Sequence, residues 1–153
     1  MREKLLISAC LLGEKCRYDG GGNYAPQVEA LRERFELIAV CPERLGGLPT
    51  PRTPSERVGE RVRNRSGEDV TLPFQRGAER ALSIARAQGV VRAVLKERSP
   101  SCGSGCVYDG TFTGRVIPGR GVAAELLARH GIEVYSEENF LSFLCEEERE
   151  ETV

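Results

Sequence analysis

Short apolar runs recur along the chain, each bounded by residues that favour turns. They are four to six residues long and rich in Leu, Ile and Val, which is typical of buried strands. The runs predict four strands, at 4–9, 35–40, 90–95 and 132–135.

Amphipathic segments occupy the intervals between these runs. Their apolar residues recur every three or four positions, which indicates helices that pack one face against the core. The predicted helices begin at Pro26, extend from an N-cap at Thr71 to a C-cap at Gly89, span 121–130, and follow an N-cap at Ser136.

Alternation of strands with helices predicts an α/β protein with right-handed crossovers between parallel strands. We expect a small three-layer Rossmann-like domain with a mostly parallel sheet of about four strands. The segment 43–64 is rich in Pro and Gly and predicts a long loop, with a small ribbon around 58–62. Residues 1–153 form one predicted domain, with a solvated acidic tail from about residue 146.

Composition and charge narrow the function classes. The 153 residues carry 22 Lys and Arg against 23 Asp and Glu, a net charge of −1, and 40% are hydrophobic. Such a chain is globular rather than disordered, and a duplex nucleic acid is an improbable partner because phosphate binding needs excess positive charge. A small-molecule partner is therefore expected, while the oligomeric state is not predicted. The short apolar run near the N-terminus is interpreted as a strand rather than a signal segment, and no run is predicted to span a membrane, so a cytoplasmic location is expected.

Cysteines follow three of the predicted strands directly or within their next loop. Cys10 follows the first strand, Cys41 the second, and Cys102 lies in the loop after the third. Because the carboxyl ends of parallel strands meet at one edge of a sheet, we expect these thiols to converge there. Cys16, in the loop after Cys10, is a fourth candidate.

Converging thiolates suit a structural zinc, a catalytic zinc or an iron–sulfur cluster, and the spacing alone does not choose among them. No C-x-x-C pair is present, and the single histidine, His130, lies far from the cysteine loops, which disfavours a Cys/His zinc site. Each thiol taken singly is also compatible with simple packing. Cys145 is interpreted as a packing or surface residue, and Cys106 has no independent support as a ligand.

Polar residues near the same edge suggest catalytic and substrate-binding roles. Glu43 is placed to act as a general base, although a solvated loop glutamate is the plain alternative. The loop after the third strand is able to bind an anion or a carbonyl oxygen through its amides, or is a flexible turn. Arg52 is expected to be solvated. The remaining candidates for substrate contacts are Arg17, Tyr18, Asp19, Ser99, Ser101, Gly103 and Ser104.

Five ordered motifs resemble one known family. They are SACLLG at 8–13, CRYDG at 16–20, VCPERLGGLPTPR at 40–52, LKERSPSCGSG at 95–105 and YDGTF at 108–112. Together they resemble the domain of unknown function 523 family, which includes bacterial thiouracil desulfidases, over nearly the whole chain.

The resemblance implies a [4Fe–4S] cluster held by three cysteines, with one iron open to substrate. The implied reaction converts a thiolated uracil (2- or 4-thiouracil or a close analogue) and water to uracil and hydrosulfide without redox change. The family's cysteine motifs fall on Cys10, Cys16, Cys41 and Cys102; we expect the first, third and fourth of these to be the ligands, with Cys16 as the substitute. The family's acid/base pair falls on Glu43 and Ser101.

Two features depart from the family's usual pattern. The segment 55–66 is short and rich in Arg, and Cys106 is an additional thiol in the 95–106 loop. Arginines 57, 61, 63 and 65 also leave open a local phosphate-binding patch. The alternative function is a non-catalytic iron–sulfur or zinc protein for sulfur or metal handling.

Overall fold

The computed structural model describes residues 2–144. The strands are β1 (Glu3–Ser8), β2 (Phe35–Val40), β3 (Ser55–Val58), β4 (Arg61–Asn64), β5 (Arg92–Leu95), β6 (Cys106–Tyr108), β7 (Val116–Pro118) and β8 (Glu133–Ser136). The helices are α1 (Pro42–Leu45), α2 (Thr71–Gln88) and α3 (Val122–Arg129), with 3₁₀ helices at Ala9–Leu12 and Pro26–Glu33. None of the helices within the described residues is long and apolar enough to cross a bilayer.

A four-stranded parallel sheet forms the centre of the molecule, in the order β2-β1-β5-β8. At the carboxyl edge Ser8 lies opposite Val40, and Leu95 lies opposite Ser136. The predicted parallel α/β architecture is confirmed. β1, β2 and β5, the strands that precede Cys10, Cys41 and the Cys102 loop, are direct neighbours.

Side chains alternate between the two faces of the sheet and build two cores. Leu5, Ile7 and Val94 pack with the 3₁₀ helix at Pro26–Glu33 and with Phe140 and Phe143. Leu6, Ala93 and Leu95 occupy the opposite face, where residues of α2 and α3 cover them. Helical layers on both faces explain why the central strands β1 and β5 have consecutive buried apolar residues, at 5–7 and 93–95. The three-layer arrangement predicted from the sequence is therefore present.

Three local expectations need correction. The segment after Pro26 is a 3₁₀ helix, Pro26–Glu33, which begins with a hydrogen bond from the Val28 N–H to the Ala25 oxygen three residues back (3.0 Å). Thr71 is not the N-cap of α2 but its first residue, and its hydroxyl accepts the Val62 N–H (2.9 Å), which attaches α2 to β4. Ser136 accepts the Glu138 N–H (3.1 Å) and so begins a turn, while helical residues start only at position 141. Cys145 and the acidic tail lie outside the described residues.

The ribbon expected around 58–62 is a full antiparallel hairpin of β3 and β4. Its buried Glu56 accepts the N–H groups of Gly110 and Phe112 (2.9 and 3.0 Å), which fixes the hairpin to the β6–β7 turn. Arg57, one of the arginines of the predicted phosphate patch, is paired with Glu125 (2.5 Å). The hairpin is thus held in place by an internal carboxylate and an ion pair rather than projecting freely.

Candidate functional site

A cavity of about 220 Å³ lies at the carboxyl ends of β1, β2 and β5. Cys10, Cys16, Cys41 and Cys102 all line this cavity, so the structure brings together the four thiols that the sequence places far apart. The five cysteines within residues 2–144 are free thiols, and Cys106 is not part of the cavity wall.

The thiols form a connected group. Cys16 is hydrogen-bonded to both Cys10 and Cys41, and Cys102 lies within electrostatic range of Cys10 and Cys41. The side chains of Ser8 and Ser101 hydrogen-bond to Cys102; the Ser101 contact measures 3.6 Å from Oγ to Sγ.

Burial and mutual contact keep most of these thiols protonated. Burial raises the pKa of Cys102 to about 12, and the hydrogen bond to Cys10 raises the pKa of Cys16 to about 11. The pKa of Cys41 is also raised, first by its hydrogen bond with Cys16 and then by burial. Cys10 differs, because the hydrogen bond from Cys16 lowers its pKa against the effect of burial. Binding of a metal centre here would therefore release protons.

Zinc and an iron–sulfur cluster place different demands on the thiols that bind them. Among residues 2–144 no three Cys, His, Asp or Glu side chains are close enough to hold one metal ion. A tetrahedral zinc with Zn–S bonds of about 2.3 Å requires sulfurs about 3.8 Å apart. An iron–sulfur cube instead attaches each thiolate to a different iron, so its ligands are farther apart. The four thiols at one cavity are the soft donors that such a cluster binds.

Glu43 lies at the cavity wall on α1, directly after the Cys41-Pro42 step. Its Oε2 accepts the Ser101 hydroxyl (3.0 Å) and its Oε1 accepts the Arg52 Nε–H (3.1 Å). A carboxylate has about four acceptor positions. Two of them therefore remain for a water or a ligand, as a general base requires.

Arg52 is not the solvated residue that the sequence suggests. Its side chain is 7% exposed and, besides Glu43, it donates to the backbone oxygen of Cys16 (2.9 Å). The Arg52 N–H also donates to the Tyr18 oxygen (2.6 Å). Arg52 thus joins the Cys16 loop to the catalytic candidate Glu43, a role that depends on contacts 34 to 36 positions away in the sequence.

Ser101 is almost completely buried and touches three polar groups. Besides Glu43, its hydroxyl lies 3.0 Å from the Ser99 hydroxyl and 3.6 Å from Cys102 Sγ. Ser99 in turn accepts the N–H groups of Ser101 and Cys102 (3.2 and 3.1 Å). The Ser99 side chain therefore orders the loop as well as lining the cavity.

The remaining predicted contacts are divided between cavity and loop. Arg17 and Tyr18 line the cavity, while Asp19 binds Arg17 through both oxygens (2.7 Å each) and is not part of its wall. Ser104 donates both its N–H and its hydroxyl to Glu97. Gly103 is enclosed by the backbone of its own loop and, like Ser104, does not line the cavity.

Two glycines bring helices into direct backbone contact behind the site. A Cβ on Gly77 of α2 would overlap the carbonyl oxygen of Pro42, next to Glu43. A Cβ on Gly121, which precedes α3, would overlap the Ser101 backbone and lie 2.7 Å from the Cys102 nitrogen. Neither glycine has a positive φ. Glycine is thus required at both positions by the close approach of the chains rather than by an unusual backbone conformation.

Sequence reasoning missed several residues of the cavity wall. Ser8, Asn23 and Tyr108 line it, and Asn23 hydrogen-bonds to Cys10. Glu97 also lines it and is buried, although it stands in a charged stretch that is typical of an exposed loop. Ser8 and Tyr108 lie inside the motifs quoted above. The resemblance to the family is therefore the one signal that could have identified them, because nothing in their residue type or spacing indicates a place in the cavity wall.

Comparison with known proteins agrees with this geometry. Residues 5–139 match the family described as 2-thiouracil desulfurase. The chain belongs to this family. Its match spans all four cavity cysteines as well as Glu43 and Ser101.

Two relatives of the family match nearly the full chain. The [4Fe-4S]-dependent thiouracil desulfidase TudS has a solved structure that is 50% identical, covers 92% of this chain and 95% of its own, and superposes with a TM-score of 0.87. The uncharacterized protein YbbK of Bacillus subtilis (strain 168) is 41% identical over 143 residues, which is 87% of this chain and 95% of YbbK. The α/β fold is therefore shared with an iron–sulfur enzyme.

Proposed function

We propose that the protein is an iron–sulfur-dependent desulfidase that converts a thiolated uracil and water to uracil and hydrosulfide. The observation that carries the proposal is the contact between Glu43 and Ser101 (3.0 Å) beside four converging thiols. A storage or sensing protein has no use for a carboxylate with free acceptor positions at this point. The 50% identity to TudS supports the same conclusion.

In the proposal Cys10, Cys41 and Cys102 hold a [4Fe–4S] cluster, and Cys16 is the substitute ligand. The three lie after neighbouring strands of the sheet, which supports the choice. When bound through three cysteines, the cluster supplies an open iron that is a soft Lewis acid for a thiocarbonyl sulfur.

Glu43 is the general base. Its free acceptor positions orient a water towards the thiocarbonyl carbon, and its carboxylate accepts one proton as the C–O bond forms. The C–S bond then breaks and the sulfur leaves as hydrosulfide, with no electron transferred. Arg52 keeps the carboxylate in place through its 3.1 Å contact.

Ser101 is the second catalytic group. A hydroxyl both donates and accepts a hydrogen bond, so Ser101 is able to accept the second proton of the water and donate its own proton to the departing sulfur. Its contacts to both Glu43 and Cys102 support this route. Arg17, Tyr18 and Ser99 are the proposed substrate contacts because they line the cavity, and Ser104 and Gly103 act through the loop they belong to.

The test is anaerobic purification followed by a visible spectrum, iron and sulfide analysis, and a thiouracil assay for sulfide release. Cys10→Ala, Cys41→Ala and Cys102→Ala are each expected to lose the cluster absorption, because two thiolates do not retain a cube. Cys106→Ala, outside the cavity, is the matched control and should keep it.

Several outcomes separate the alternatives. A brown protein without turnover would support the non-catalytic iron–sulfur function, and a colourless protein that binds zinc would support the zinc alternative. If Cys102→Ala keeps the cluster and Cys16→Ala loses it, Cys16 rather than Cys102 is the third ligand.

A further inference from the structure

Glu97 is a buried carboxylate that the proposed reaction does not use. It is the second residue after β5, is 7% exposed, and begins the loop that carries Ser101 and Cys102. Its Oε1 accepts the N–H groups of Arg98 (3.4 Å), Ser104 (2.9 Å), Gly105 (3.0 Å) and Cys106 (3.2 Å), and its Oε2 accepts the Ser104 hydroxyl (3.0 Å).

The same loop is held from outside by α3. The carbonyl oxygens of Pro100 and Ser101 accept the N–H groups of Val122 and Ala123 (2.9 Å each), and the Gly103 oxygen accepts the Gly121 N–H (2.8 Å). Amide groups of the loop therefore point inward to one carboxylate, and its carbonyl groups point outward to a helix. Backbone N–H groups directed at one point form an anion-binding nest.

We propose that Glu97 is the built-in anion of this nest, and that its carboxylate holds the 97–106 loop in the shape that presents Ser101 and Cys102. Glu97 is a positioning residue rather than a base, since four backbone N–H groups and one hydroxyl of its own loop donate to its carboxylate. Only its effect on catalysis rests on the proposed function; its effect on the loop does not.

The electrostatics of the loop agree with this role. Burial raises the pKa of Glu97, but the hydrogen bonds from Gly105, Cys106 and Ser104 together lower it by more. The net pKa therefore lies below the ordinary value for Glu, and the carboxyl stays ionised. The adjacent cations serve other partners: Lys96 lies 3.1 Å from Glu137, and Arg98 lies 3.4 Å from Glu138. Removal of the Glu97 carboxylate therefore leaves converging donors without an anion, which an external carboxylate is able to replace.

The experiment is chemical rescue of Glu97→Ala with acetate. The substitution removes a CH₂–COO⁻ group, which acetate matches in size and charge, while acetamide matches the shape without the charge. Hydrogen exchange of the amides at 104–106 and thermal unfolding are measured on the purified protein, so neither readout depends on turnover.

In Glu97→Ala we expect the amides at 104–106 to exchange at least about tenfold faster, because hydrogen bonds to a charged group are lost. Acetate should restore protection and unfolding temperature in a saturable way, and acetamide should not. Glu138→Ala, which removes an exposed neighbouring carboxylate, is the matched control and should not respond to acetate.

Unchanged exchange in Glu97→Ala, or equal rescue by acetate and acetamide, would overturn the proposal. Glu97→Gln keeps the shape and is used if the alanine variant does not fold; it should exchange faster than wild type at the same amides. Protection restored by acetate in a protein that never releases sulfide would leave the role of Glu97 intact and contradict the proposed function.

Discussion

The segments that follow β2 and β5 contain the same parts and use them differently. Each segment has a cysteine and a carboxylate at the cavity: Cys41 with the half-buried Glu43, and Cys102 with the buried Glu97. Each is also backed by a glycine in contact with its backbone. Glu43 has two protein partners, whereas Glu97 has five hydrogen bonds from its own loop.

The comparison teaches that burial alone does not distinguish the proposed general base, Glu43, from a carboxylate that orders its own loop. Both side chains are largely withdrawn from water, and both lie within the same cavity wall. What separates them is the number and source of their donors: Glu43 accepts two side-chain hydrogen bonds, whereas Glu97 accepts five, four of them from backbone N–H groups of one loop. A base needs a free position for the proton it receives, while an anion that orders a loop is stabilised by each donor that the loop directs at it.

Glu43→Gln gives the largest expected effect. The amide keeps the size of the side chain and its oxygen still accepts from Arg52, but its NH2 group donates to Ser101 and the amide does not accept a proton, so kcat should fall by about 10²–10⁴-fold. The measurement is steady-state sulfide release from thiouracil at equal iron content. Glu97→Gln should lose much less, and equal losses in the two variants would contradict the division of roles.

Ser101→Ala should lower kcat by about 10²-fold, comparable to the removal of one positioned hydrogen-bonding group from an active site. Because Ser101 and Glu43 act on the same water, the double variant should lose less than the product of the two single losses. The test is to measure kcat for the wild type, the two single variants and the double variant. If the loss in the double variant equals the product of the two single losses, the residues act in separate steps.

Gly77→Ala should lower kcat by about tenfold, because a displacement of Pro42 moves Glu43 away from Ser101 and small misplacements of a catalytic group are costly. Gln75→Ala, on the exposed side of the same helix, is the control. Both variants are compared for iron content and unfolding temperature. Full activity in Gly77→Ala would mean that the contact of α2 with Pro42 does not set the position of the base.

The smallest expected effect is on stability in acid. The pKa of Glu97 is lowered in the folded protein, so its contribution is fully present above the ordinary range of about pH 4.3 and is lost as the pH falls through the lower, folded value. The difference in unfolding temperature between wild type and Glu97→Gln should therefore shrink below about pH 4. A difference independent of pH would contradict an ionised carboxylate in the nest.

The sheet and the convergence of thiols were predictable because they depend on local patterns. Apolar runs predict the strands, and parallel pairing brings Cys10, Cys41 and the Cys102 loop to one edge whatever the details of the loops. The partners of Arg52 and Glu97 were not predictable. Arg52 meets Glu43 only after the 43–52 loop folds back, and Glu97 gains four of its five hydrogen bonds only because the chain closes on it seven to nine residues later.

The strand order determines when, during synthesis, the cavity comes into existence. β1 is made first, but its neighbours are β2 and β5, and the loop after β5 is held by α3. A nascent chain that ends before Arg129 therefore has Cys10 and Cys41 but no ordered position for Cys102. Because domains fold as units during synthesis, loading of a metal centre has to wait until nearly the whole domain has left the ribosome.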